Sequence, residues 1–293
     1  MPSKAKLYPL DQSCLYKLNS RKRLAKYLFL SISALEELAK TGDRYRSWDE
    51  KKKSGGTRRI EAPHDNLKAV QKRIATLLQS IDPPNYLMAP VGGRSYVDNA
   101  AIHVGAKAFR LLDIENFFPS CTDKRVFWFF NKFMKCSPDV SALITKLVTY
   151  NGHLPQGSPC SPILAYFSYA DMWEEINSIV SNSMCTLSIY ADDITISGDV
   201  VYEKDVWAVK SCLHRFGHKY HTEKERSLIG RAADITGVIV AYDELRLPNR
   251  QHKKINIAQK AYQNAASRPE KESLKRQLLG RYAQANQITK HIQ

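Results

Sequence analysis

An α+β fold is predicted for this 293-residue chain by three observations. Segments with apolar residues at helical spacing lie towards both ends; a strand-like run, AFRLLDIENFF, occupies the middle; and LSIYADDITIS alternates apolar and hydroxyl residues about a turn. A chain of this length buries a sizeable core, as one large domain or two to three small lobes.

The elements follow in order. Residues 10 to 40 read as helical, with Leu24, Tyr27, Leu28, Leu35 and Leu38 at helical spacing. DEKKKSGGTRRIEAPHDNLK then changes character: a lysine run, two glycines and two arginines suggest a mobile basic hairpin or loop, and Lys51 to Lys53 alone would be a solvated face. NLKAVQKRIATLLQSI is an amphipathic helix stopped by Asp82-Pro83-Pro84. In AFRLLDIENFF the strand period puts Phe109, Leu111 and Asp113 on one face; Pro119 and Ser120 end it, and TDKRVFWFFNKFM reads as the next helix. NGHLPQGSPCSPILAYFSYADMWEEI is a Gly/Pro-rich loop entering a helix, with Ser161 at the N-cap and Pro162 at the first helical position. Leu187 and Ile189, then Ile194 and Ile196, alternate with hydroxyls around a turn near Ala191-Asp192. From Leu245 onward eleven basic residues face two acids, so a helix-rich tail with net charge +9 is expected as a separate lobe.

Composition narrows the partners. Lys and Arg total 44 against 29 acids, a net charge of +15 that favours a polyanion, nucleic acid or an anionic membrane surface. No run approaches a spanning helix, and the first residues lack the apolar centre of a signal peptide, so no membrane partner is expected. Six cysteines without C-x-x-C or zinc spacing are expected as small buried hydrophobes in a reduced, cytoplasmic protein.

Asp113 lies at a strand end, and Asp192 and Asp193 at a hairpin turn. Neighbouring carboxylates repel unless water or a cation screens them. Each acid alone is readily a surface residue. Together, on neighbouring strands, they would suit Mg²⁺, a hard ion that takes carboxylates plus substrate phosphates, and two such ions stabilise the attacking and leaving oxygens of a phosphoryl displacement. Asp192 is the firmer of the pair, because successive strand residues point to opposite faces and Asp193 depends on the turn.

Four stretches in order resemble reverse transcriptases: TRRIEAP their fingers motif, LLDIENFF the first catalytic strand, LPQGSPCSP the loop that contacts template and nucleotide, and Tyr190-Ala191-Asp192-Asp193 the Y-x-D-D signature. The resemblance covers roughly residues 50 to 240. Asn99-Ala100-Ala101-Ile102-His103 resembles the N-A-x-x-H motif of the retron type, and Ile235-Thr236-Gly237 its V-T-G motif, with Ile for Val. Read without the resemblance, Asn99 is a helix cap and His103 a satisfied core histidine.

The resemblance implies a right-hand polymerase: fingers with N-terminal helices over 1–105, a catalytic ferredoxin-like palm over 106–240 and a basic helical thumb over 241–293. It implies that Asp113, Asp192 and Asp193, with the carbonyl of Ile114, hold two Mg²⁺ ions. Arg58 would clamp the incoming triphosphate, with Lys53 as companion in an ambiguous register, and Gln156 would position nucleotide and template. Phe118 is the implied sugar gate, excluding a ribose 2′-hydroxyl, with Phe117 the rival for that place, and Lys224 lies near the leaving pyrophosphate. Asn99, His103, Thr236, Gly237 and the basic Arg250, Lys253 and Lys254 are the implied RNA-recognition residues; Tyr262 and Tyr282 either stack on nucleotides or pack in a core. The partners implied are dNTPs, a cognate structured noncoding RNA that serves as primer and template, its RNA–DNA product joined through a 2′-hydroxyl (msDNA), and an effector protein in antiphage defence. The alternatives are another compact bacterial reverse transcriptase, of the diversity-generating or group II intron type, and a noncatalytic RNA-binding scaffold for an effector.

Overall fold

A computed structural model describes residues 7–40, 42, 44–51 and 55–290; Lys53 lies outside the described residues. The stretch expected as helical from 10 to 40 is broken into a 3-10 turn (Leu10–Gln12) and two short helices, α1 (Arg21–Tyr27) and α2 (Ile32–Leu38). Ser20 and Ser31 accept from the amides of Arg23 and Ala34 as N-caps, and a left-handed Phe29 (φ 58°) turns the chain between the helices. β1 (Tyr45–Lys51) and β2 (Thr57–Pro63) form an antiparallel hairpin buried only at its root, at Tyr45, Glu61 and Pro63. The amphipathic α3 (Asp65–Gln79) buries Leu67, Val70, Ile74 and Leu78.

β3 (Leu87–Ala89) leads to α4 (Tyr96–Ala101), which opens with a capping box between Ser95 and Asp98. β4 (Ala108–Glu115) is followed by one turn, α5 (Phe117–Ser120), and by α6 (Asp123–Trp128). The expected helix through Phe133 does not stay α: residues Phe129–Phe133 form a π turn, which brings Phe129 and Phe130 both into the core. α7 (Pro138–Val148), α8 (Ser161–Phe167) and α9 (Ala170–Asn182) come next. Ser161 is the first residue of α8 rather than its cap: Cys160 holds the cap position, and the Ser161 hydroxyl donates to the Pro155 carbonyl at 2.8 Å, bracing the preceding loop.

The sheet is completed by β5 (Thr186–Tyr190), β6 (Asp193–Gly198), then α10 (Glu203–Arg215), β7 (Lys219–Tyr220) and β8 (Arg226–Ile229). Its order is β3-β5-β6-β4, with β7 and β8 both on the far edge of β4. β4 runs antiparallel to β6, while β8 covers its first half and β7 pairs Ile114 and Glu115. The strand period divides the residues: Leu187, Ile189, Ile194, Ile196, Leu112 and Ile114 join the main core, and Ser188, Ser197 and Phe109 lie on the opposite face.

That opposite face meets a second core. β9 (Ala233–Ile235), β10 (Val238–Val240) and β11 (Leu245–Arg246) form a small antiparallel sheet, with strands on both sides of residue 240. Its residues cluster with Val97 and Ala100 of α4, Phe109 of β4 and Ile288. The chain ends in α11 (Asn249–Asn264) and α12 (Arg268–Thr289). Four of the six free cysteines, Cys121, Cys136, Cys160 and Cys212, are buried. Among the described residues no helix is long and apolar enough to cross a membrane.

Candidate active site

β4 delivers Asp113, and the β5–β6 turn delivers the adjacent acids. In the antiparallel register Asp113 stands opposite Asp193. Asp192 shares the turn with Ala191, whose left-handed backbone (φ 57°) closes the hairpin, and the Asp192 carbonyl accepts from the Ile114 amide at 2.9 Å. Sequence reading favours Asp192 as the companion of Asp113; the register gives the direct cross-strand place to Asp193 and leaves Asp192 beside it.

The electrostatics are unbalanced. Burial raises both carboxyls, and the charges of Asp192 and Asp113 help push Asp193 to about 7. Asp113 Oδ1 accepts from Lys224 Nζ at 2.8 Å and lies 3.6 Å from His221 Nε2. Lys224, expected near a leaving pyrophosphate, is thus seated on the first acid. Among the described residues, no group of three or more His, Cys, Asp or Glu stands in a metal-holding arrangement. The donor chemistry nonetheless fits a hard cation: three carboxylates share one end of the sheet, burial opposes the ionisation of two, and an ammonium already stands against the third. Asp113, Asp193, Lys224 and Arg226 line a cleft of about 480 Å³. Sequence reasoning passed over His221, which no motif marks; its amide donates to the Asp113 carbonyl at 2.9 Å, fixing the strand end.

Arg58 sits on the exposed part of β2, where its Nε donates to Glu50 Oε2 at 3.1 Å across the hairpin. Gln156 is tied by its backbone, its carbonyl accepting from the Glu61 amide at 2.8 Å. The structure separates the two phenylalanines after β4. Phe117 is 6% exposed and packs on Trp173 and His218, whereas Phe118 is only half-buried, its ring centroid 5.7 Å from that of Phe117.

The two remaining motifs meet in space. Asn99 Nδ2 donates to the Thr236 hydroxyl at 3.2 Å, which donates to the Tyr96 carbonyl at 3.1 Å. Thr236 (φ 47°) and Gly237 (φ 91°) form the β9–β10 turn, beside an Arg250 paired with both oxygens of Asp234. His103 bonds on both ring nitrogens, to Ser197 Oγ at 2.7 Å and Ser188 Oγ at 2.8 Å. Burial holds its pKa down to about 3. Asn99 and His103, expected to read RNA, are residues 0% and 1% exposed whose side chains bond to protein groups. Lys253 and Lys254 are exposed on α11.

Residues 50–256 match the family model described as reverse transcriptase (RNA-dependent DNA polymerase). The chain is 38% identical over 143 residues to the retron Se72 reverse transcriptase of Salmonella heidelberg, a match covering 48% of this chain and 38% of that protein. It is 27% identical over 247 residues to the retron Ec86 reverse transcriptase of Escherichia coli, covering 81% of this chain and 76% of that protein. A solved telomerase from Candida albicans, in complex with a fragment of telomeric RNA, superposes with a TM-score of 0.54 at 12% identity, over 85% of this chain and 55% of that one. The mixed helix and sheet arrangement is therefore the right-hand polymerase fold, as the sequence leads one to expect.

Proposed function

Because the chain belongs to the reverse transcriptase family, we propose that it is an RNA-directed DNA polymerase of a retron system. It copies a structured noncoding RNA into single-stranded DNA that stays joined to the RNA, in the setting of antiphage defence with an effector protein. The observation that carries this reading is the placement of Asp193 across the β4–β6 ladder from Asp113, with the half-buried Asp192 next to it. These three acids would hold the ions, with Ile114 offering its carbonyl. Two Mg²⁺ ions supply charge stabilisation for an in-line displacement on a nucleoside triphosphate.

The chain's own residues carry the rest. Arg58 swings from Glu50 to the triphosphate, with Lys53 as its proposed companion in that role, since a guanidinium fork suits phosphate oxygens better than one exposed carboxylate. Gln156 lies against the nucleotide and template. Phe118, the less buried of the aromatic pair, excludes a 2′-hydroxyl. Lys224, which pairs with Asp113 at the mouth of the site, would face the departing pyrophosphate. Thr236, Gly237, Arg250, Lys253 and Lys254 form the RNA-facing edge, and the buried Asn99 and His103 position it. The basic α11 and α12 grip an RNA–DNA duplex through its backbone.

The test is nucleic acid recovered with the purified chain, followed by dNTP extension in Mg²⁺. Branched DNA linked to RNA and resistant to RNase is the expected product; recovery of plain RNA that no dNTP extends would overturn the reading.

A further inference from the structure

Arg58 and Gln156 must meet one nucleotide, yet they sit on separate elements, joined at the hairpin root by a side-chain pair and a backbone hydrogen bond. We infer that Glu61 and His153 form a positioning pair that fixes the root of the β1–β2 hairpin against the loop carrying Gln156, and so sets affinity for the incoming nucleotide; this rests on the polymerase reading above.

Glu61 is 7% exposed, an acid whose burial is unfavourable without a partner. Its Oε2 lies 2.8 Å from His153 Nε2. The backbone makes the same junction: the Glu61 amide donates to the Gln156 carbonyl at 2.8 Å, and Gly157 (φ 138°) packs so closely that an added Cβ would lie 2.9 Å from the Glu61 carbonyl oxygen. Behind it, Ser158 Oγ donates to Gln71 Oε1 at 2.7 Å, and Gln71 Nε2 donates to the Tyr45 hydroxyl and the Leu147 carbonyl, each at 2.8 Å. The strands of the hairpin beyond this root are largely exposed, so little else among the described residues sets its angle.

His153 is a firm anchor. It closes a tight turn through Asn151 (φ 49°) and Gly152 (φ 82°), exchanging backbone hydrogen bonds with Tyr150 at 2.9 and 3.1 Å. Its Nδ1 lies 3.2 Å from the Asn151 carbonyl, so both ring nitrogens have fixed neighbours. Glu61 is three residues from Arg58, and His153 three from Gln156. Three strand residues span about 10 Å, so a small pivot at Glu61 shifts Arg58 relative to Gln156, and misplacement of that kind weakens binding out of proportion to its size. Neither side chain need touch the nucleotide.

The experiment is steady-state extension of an oligo(dT) primer on poly(rA), with dTTP varied, alongside thermal unfolding. His153→Ala is expected to raise KM for dTTP about tenfold with kcat held within about twofold. His153→Gln, whose amide can donate to Glu61, should recover most of the loss. Glu61→Ala combined with His153→Ala should cost no more than the worse single change. A lowered melting temperature with KM unchanged in the His153 variants overturns the inference and leaves the polymerase reading intact. No extension by the wild-type chain would instead strike the polymerase reading. If Glu61→Ala does not fold, His153, less buried than Glu61, carries the test through its two variants.

Discussion

The β5–β6 hairpin holds two polar clusters. At its closed end Asp192 and Asp193 are half-buried beside Asp113, and desolvation and like charge both oppose their ionisation. On the face that meets α4, His103 lies between Ser188 and Ser197 with both ring nitrogens bonded and no charge present. A hydroxyl can donate to one nitrogen and accept from the other, so a neutral imidazole is satisfied there. The two clusters share strands and differ in sign: an added cation lowers the free energy of the first, and nothing added improves the second. Polar burial alone therefore does not mark chemistry; uncompensated charge does.

The sharpest way to break this contrast is to neutralise the acids. Asp192→Asn with Asp193→Asn should cut primer extension roughly thousandfold or more, while raising the melting temperature in metal-free buffer at neutral pH because the repulsion is gone. Retained activity would remove the distinction between the clusters. His103→Ala should do the reverse. It should cost about 2–3 kcal/mol in urea unfolding by leaving two buried hydroxyls and a cavity, with extension of oligo(dT) on poly(rA), which needs no selection of a structured RNA, near normal for the folded fraction. An unchanged urea midpoint would mean the histidine bolts nothing.

A smaller effect tests the charge state itself. The folded pKa of His103 is held to about 3 against 6.5 for the free side chain, so the unfolded chain binds the extra proton between those values. Its contribution is fully present above pH 6.5 and is lost as pH falls towards 3, at ~1.4 kcal/mol per pH unit. His218, lowered to about 4 by burial and then by Arg125, acts in the same direction. Unfolding free energies at pH 7, 6 and 5 should fall less steeply for His103→Gln; identical slopes would show that His103 is not held neutral.

Much of this could be read from the residues. Alternation in LSIYADDITIS gives the strands and the turn at Ala191-Asp192, because one face of the hairpin is buried against apolar neighbours. Register was out of reach, since the pairing of Asp113 with Asp193 depends on contacts between distant segments. The hydroxyls of the hairpin did carry a signal: Ser188 and Ser197 alternate with buried isoleucines, which asks for a polar partner on the other face, but nothing local names His103. The strands β9 to β11 have two or three residues each, too few for any periodicity to show. Ser161 reads as a cap because a serine before proline suits one, but the preceding loop folds back so that the Pro155 carbonyl takes its hydroxyl instead.

One feature of the C-terminal helices has a mechanical meaning. α11 leaves the small sheet at Asn249, and α12 comes back to it at Ile288, with the connecting turn near Ala265 to Ser267 at the far end. Within these helices only Ala258 and Ile288 are buried. The pair is a cantilever, clamped at its base, with the two helices packed on each other and their outer faces largely exposed. With α12 spanning about 33 Å, a tilt of about 5° at the base carries the tip about 3 Å. Beyond Ala258 and Ala285 towards the turn, little packed surface opposes that sway, so its compliance lies in the mounting, beside Thr236 and Asn99.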